Sequence, residues 1–157
     1  VFFSIASSFY VKIDDSPVTR SRDTNMTFAF WCVAIAAFLP LVWIGFAKVG
    51  AGGYDNAKPR VWRKQLEGRL HRAAAAEENA YEAFPTFAAG VIIAHITGVD
   101  QNVADAMAGV FVTARILHGV FYITDKDLFR SLSWTVGFFT MVGFYLAAGA
   151  AASAALT

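Results

Sequence analysis

The sequence predicts an all-α integral membrane protein built as a bundle of four transmembrane helices. Three observations carry the prediction. Hydrophobic residues make up 57% of the chain against 16% charged, with a mean hydropathy of +0.48, which sets it apart from ordinary soluble domains. The charges are gathered into short stretches between long apolar runs. Four of those runs reach the roughly 20 residues that a helix needs to cross about 30 Å of hydrocarbon. A chain of 157 residues holds one domain of this kind, expected over residues 26–157.

Residues 1–25 differ from the rest: a short apolar start is followed by a polar, turn-rich stretch with Pro17. The order is wrong for a secretory signal, whose basic residues precede its apolar core, and the apolar part is too short to span. Two readings stand. The segment is an upstream extension from a start-site choice, Met26 being a natural beginning, or it is an arm lying on the outer surface or on a partner subunit. The first span is expected at 27–47, uncharged until Lys48. The second, 66–98, opens amphipathically and is uncharged from Ala83 to Val99. The third, 103–124, is interrupted by Arg115 and His118. The fourth, 131–156, contains FFTMVGFYLAAGAAASAAL, which has no polar face to give to water and so argues against a soluble bundle. Its Gly143, Ala147, Gly149 and Ser153 are small residues that let helices approach closely.

Basic residues set the topology. Lys48, Lys58, Arg60, Arg63, Lys64, Arg69 and Arg72 lie around the first connection, Lys126 and Arg130 around the third, and none in VDQNVAD between them. By the positive-inside rule the two basic loops are cytoplasmic and both termini lie on the other side. Positive charge gathered at the end of a span suits anionic lipid headgroups, making membrane lipid a partner and nucleic acid not. Cys32 is the only cysteine, which excludes a disulfide framework and reads as a packing residue. Three scattered histidines and one cysteine have no metal-ligand spacing, so no metal is expected.

Polar residues inside the apolar runs fall into stripes. Arg72, Asn79 and Glu82 share one face of the second helix, and Arg115, His118 and Tyr122 one face of the third. At about 1.5 Å per residue, Glu82 and Arg115 each lie roughly 15 Å from the cytoplasmic end of their helix. A buried guanidinium needs a carboxylate or several acceptors, so an ion pair between Glu82 and Arg115 is expected. That pair either fixes how two spans pack or lines a ligand site. The same alternatives hold for Asn79 and His118, whereas His95, off this face, reads as structural. Arg130-Ser131 is either a plain helix start with an interfacial anchor or part of a site.

Taken together, Arg72-Ala73, Ala76, Asn79, Glu82 and Phe84-Pro85 resemble the second-helix signature of the MAPEG superfamily, the membrane-associated proteins in eicosanoid and glutathione metabolism. Ala114 to Tyr122 resembles that family's third helix, and Arg130-Ser131 with Trp134 its fourth-helix entry. The match spans about Met26 to Leu156, and a bacterial-type member would sit in the inner membrane. The resemblance implies a homotrimer with glutathione between protomers near the cytosolic face. It also implies a glutathione or pocket-shaping role for Arg72, Asn79, Glu82, His118, Tyr122, Arg130 and Ser131, with Arg130 the residue that activates the thiol. Three positions depart from the pattern. Ala75 and Glu78 stand where basic residues are usual, and Trp134 replaces a tyrosine and so offers an indole donor without a phenol. Two functions follow: a glutathione-dependent transferase or peroxidase acting on lipophilic electrophiles, or a non-catalytic lipid-binding protein or accessory subunit of a larger membrane complex.

Overall fold

The structure, a computed structural model, describes residues 26–156, and the expected extension at 1–25 lies outside them. The described residues form α1 (Phe28–Ala51), α2 (Pro59–Lys64), α3 (Gly68–Thr97), α4 (Gln101–Ile123) and α5 (Asp127–Ala154), with no strand among them. By length and apolarity α1, α4 and α5 are able to cross a membrane. α3 is long, but Arg69, Arg72, Glu77, Glu78 and Glu82 crowd its first half. The short α2 was not foreseen. Pro59 at its first position starts it and it ends after one and a half turns.

Side chains and glycines set the helix ends. Thr27 Oγ1 accepts from the Phe30 amide at 3.3 Å, and Asp105 of α4 reaches across to accept from the Ala29 amide at 2.8 Å. A carboxylate facing the positive end of α1 pins that helix to α4. At the other end of the bundle, α3 stops at Gly98, whose φ of 79° is free of cost only for glycine. The amides of Gly98 and Val99 return to His95 and Ala94, in a Schellman arrangement. Asp100 then opens α4 by accepting from the amides of Asn102 and Val103, so the turn takes three residues.

α1 packs on α3 and α4 on α5, while α3 also touches α4 and α5. The core is aromatic and small: Phe87 and Phe111 stack at 3.8 Å between ring centres, Phe144 meets Phe87 edge-on, and Ala29, Cys32, Ala36 and Ala108 close around them. Helices come close where one partner has no side chain. A Cβ on Gly119 of α4 would sit 2.3 Å from the buried Trp43 ring of α1. Outward faces are apolar: Phe38, Phe139 and Leu146 are each about two-thirds exposed. An exterior of that kind suits lipid, not water.

Candidate functional site

Three polar clusters occupy one end of the bundle. In the first, Arg115 is buried, 5% exposed, with Gly137 of α5 against its stem. Its Nη2 donates to the Asn79 backbone carbonyl at 3.2 Å and to Asn79 Oδ1, and Asn79 Nδ2 donates in turn to Glu82 at 3.4 Å. The expected direct Glu82–Arg115 pair is therefore not what forms. Among the described residues the ion pairs are Arg63 with Glu77 and Glu78, and Arg72 with Asp125. The reason is rotation about α3: three residues turn a helix by about 300°, so when Asn79 faces α4, Glu82 points about 60° away. Glu82 lies on the exposed face.

Arg72 also has a structural position. Its Nε donates to the Ile123 carbonyl at 3.3 Å and its Nη1 lies 3.5 Å from Asp125, so it caps the exposed carbonyl end of α4. Asp125, with φ of 60°, makes the turn into α5.

The second cluster joins α4 to α5. His118 Nδ1 lies 3.1 Å from the Arg130 carbonyl. A carbonyl oxygen only accepts, so Nδ1 carries the proton, and in the neutral ring the lone pair is then at Nε2. That Nε2 is buried and has no hydrogen-bond partner, and Arg115 Nε, one turn away, is in the same condition. Ser133 Oγ shares the Arg130 carbonyl at 2.9 Å and the Phe129 carbonyl at 2.8 Å, holding the first turn of α5. The Arg130 guanidinium stands over the Tyr122 ring, 4.7 Å from its centre, and Tyr122 meets His118 edge-on at 5.5 Å. His118, Tyr122, Arg130, Ser131, Trp134 and Thr135 line a cavity of about 290 Å³. His118 and Tyr122 of the third-helix stripe thus come together with the fourth-helix entry, while Arg72, Asn79, Glu82 and Arg115 do not line this cavity.

An apolar groove runs on from it between α4 and α5. Thr135 lines both the polar cavity and a neighbouring hollow of about 510 Å³, with Met107, Val110, Val136 and Phe139. Val110 and Val136 in turn line a further hollow of about 350 Å³. Sequence reasoning missed Thr135 and Ser133. A hydroxyl one position beyond Leu132 and another one position beyond Trp134 are the only signal they leave, and isolated hydroxyls in a span usually bond their own helix, as Thr135 does to Ser131.

The third cluster holds α2 on α3. Arg63 donates to the Ala74 carbonyl at 2.8 Å and pairs with Glu77 and, at 2.9 Å, with Glu78. The charge at Glu78, a departure from the resemblance, is thus answered within the chain. A cavity of about 480 Å³ lies here, bordered by Arg60, Arg63, Lys64, His71, Ala75 and Glu78.

Comparison with protein families finds a match to the MAPEG family model over residues 28–150. Comparisons with curated proteins and with solved structures give no match.

Proposed function

We propose, from the premise that the chain belongs to the MAPEG family, that it is a glutathione-dependent transferase or peroxidase acting on lipophilic electrophiles. The observation that carries this reading is the cavity at the α4–α5 turn, where a cation, hydroxyl-bearing side chains and an apolar groove adjoin. The residues present fit glutathione, which offers carboxylates and an amide-bearing backbone, and when bound supplies a thiol nucleophile. Arg130 provides the positive charge that favours an anion beside it. His118, held by its Nδ1–H bond to the Arg130 carbonyl and with its Nε2 buried, fixes the first turn of α5 at the cavity wall. Ser131 and Trp134 add donors at the wall. The groove past Thr135 suits a lipophilic second substrate arriving from the membrane.

The membrane arrangement belongs to the same reading. α3 is taken as a fourth crossing, because its uncharged stretch from Ala83 continues to Val99 and its charges sit at one end. A homotrimer supplies cover for Asn79 and the exposed Glu82. Both basic connections then face the cytoplasm, with both termini opposite and the inner membrane of a bacterium as the location.

Calorimetry with glutathione on detergent-solubilised protein, followed by conjugation of a generic aryl halide, tests the function. Arg130→Leu is expected to lower the conjugation rate by roughly 100-fold or more while the assembly stays intact. Wild-type protein that neither binds millimolar glutathione nor conjugates would sink the enzyme reading. The second reading, a lipid-binding or accessory subunit, then takes its place. It is favoured by Arg72, which is occupied at the end of α4, and by the uncharged Ala75.

A further inference from the structure

The cavity between α2 and α3 has a construction of its own. α2 has six residues, too few to hold a helix unaided. Its seat comes from two side chains. Trp62 is 7% exposed, packed among Ala47, Leu66, Ala73 and Ala74 and edge-on to Tyr54 at 4.9 Å. Arg63 is engaged by the Ala74 carbonyl and by both Glu77 and Glu78. With those two committed inward, Arg60 and Lys64 lie one turn apart on α2 and both border the cavity, as does His71 of α3. Neither Arg60 nor Lys64 takes part in an ion pair or side-chain hydrogen bond among the described residues. Arg63 sets one positive charge against the two negative charges of Glu77 and Glu78, so Arg60 and Lys64 bring the balance around the cavity to one net positive charge.

Its volume of about 480 Å³ falls in the roughly 300–1,000 Å³ range of small-ligand sites. The cations differ in kind, a planar fork and a point charge, with an imidazole across from them. A phosphate, with more than two acceptor oxygens, can meet all three at once, where a carboxylate offers two oxygens. The surroundings are those of a bilayer boundary. Val61, next to Arg60, is half exposed and Val49 at the end of α1 almost fully so, while Arg69 stands 5.9 Å over the exposed Phe46 ring.

We infer that this α2–α3 cavity is a phosphate-binding site in which Arg60, Lys64 and His71 hold the phosphate of an anionic lipid headgroup or of a soluble phosphate ester. The site shares no lining residue with the cavity at Arg130, so it stands whether or not the protein handles glutathione.

Native mass spectrometry from mixed micelles of phosphatidylglycerol and phosphatidylcholine tests it on the full chain. Wild type retains phosphatidylglycerol selectively, and R60Q/K64Q loses that affinity by about 30-fold. The control K58Q/R69Q removes the same charge from the same end of the bundle without touching the cavity, and keeps the lipid. In a second arm, inorganic phosphate is titrated by calorimetry into protein held in an uncharged detergent. Phosphate binding that R60Q/K64Q abolishes, without selective lipid retention, assigns the site to a soluble ester. Equal losses in the two double variants would reduce the effect to diffuse charge and overturn the site, as would failure of both probes to bind wild type. Competition by glutathione for either probe would make the cavity part of the thiol ligand's site and overturn it as well. Both double variants leave Trp62 and Arg63 in place. If R60Q/K64Q does not fold, Lys64→Gln alone, with about a fivefold loss, carries the same comparison.

Discussion

Asn79 is the residue on which the interior chemistry turns. It takes the Arg115 guanidinium with both its side-chain and its backbone oxygen and passes the remaining polarity to Glu82. Hydrogen bonds to a charged group are worth about 1.5–3 kcal/mol, whereas an exposed carboxylate at one remove acts through solvent or lipid headgroups and adds less. A double-mutant cycle on Asn79→Ala and Arg115→Met is therefore expected to give a coupling of about 1.5–3 kcal/mol, measured by unfolding in mixed micelles. The corresponding cycle on Glu82→Ala and Arg115→Met should give under about 1 kcal/mol. Coupling larger for Glu82 than for Asn79 would restore the direct pair. His118 shows a second residue-scale rule. One hydrogen bond to a carbonyl decides which nitrogen carries the proton and ties α4 to the first turn of α5.

Among the elements, α1 and α4 depend on each other at two heights. Asp105 holds the start of α1, and Gly119 lets Trp43 press against the α4 backbone. Both contacts escaped the sequence reading. Asp105 stands in a span whose other charges drew attention, and a glycine in an apolar helix reads as general packing until its neighbour is known. Trp43 is 8% exposed and rigid, so it has little room to retreat from an added methyl group. Gly119→Ala is expected to cost about 1–3 kcal/mol in thermal or chemical unfolding. Trp43→Leu in the same chain should recover part of that loss, since the clash is with the indole ring. A Gly119→Ala protein as stable as wild type would show that the two helices separate freely. α2 makes the same point from the other side, since six residues with Lys and Arg at half their positions read as loop until Trp62 is seen buried.

For the whole molecule the exposed surface poses the question of assembly. Apolar side chains on α1 and α5 are answered by lipid, but Glu82 on α3 is not. A second copy that covers this face removes the cost, and a homotrimer is the assembly proposed above. Native mass spectrometry in mild detergent should show mainly three-chain particles, and Glu82→Leu should leave them intact if the face only needs cover. Particles of one chain throughout would remove the assembly from the proposal. The prediction is independent of glutathione, because it rests on the carboxylate's exposure alone.

The sequence by itself determined the helical class, the long helices to within a few residues, the membrane character of three of them and the family. Each depends on composition, hydropathy and short-range spacing, which a chain carries without folding. The stripe His118–Tyr122 was legible too, since it follows from helical periodicity, whereas Arg130–Ser131 was assigned to a site only through the family resemblance. Which polar groups meet was decided only in three dimensions. Arg115 takes Asn79 and leaves Glu82 outside, Arg72 caps α4, and Arg63 answers Glu78. Spacing along one helix gives a side chain's angle about its own axis, but not the rotation of that helix against its neighbour. A difference of about 60° is enough to move a carboxylate from the interior to the surface.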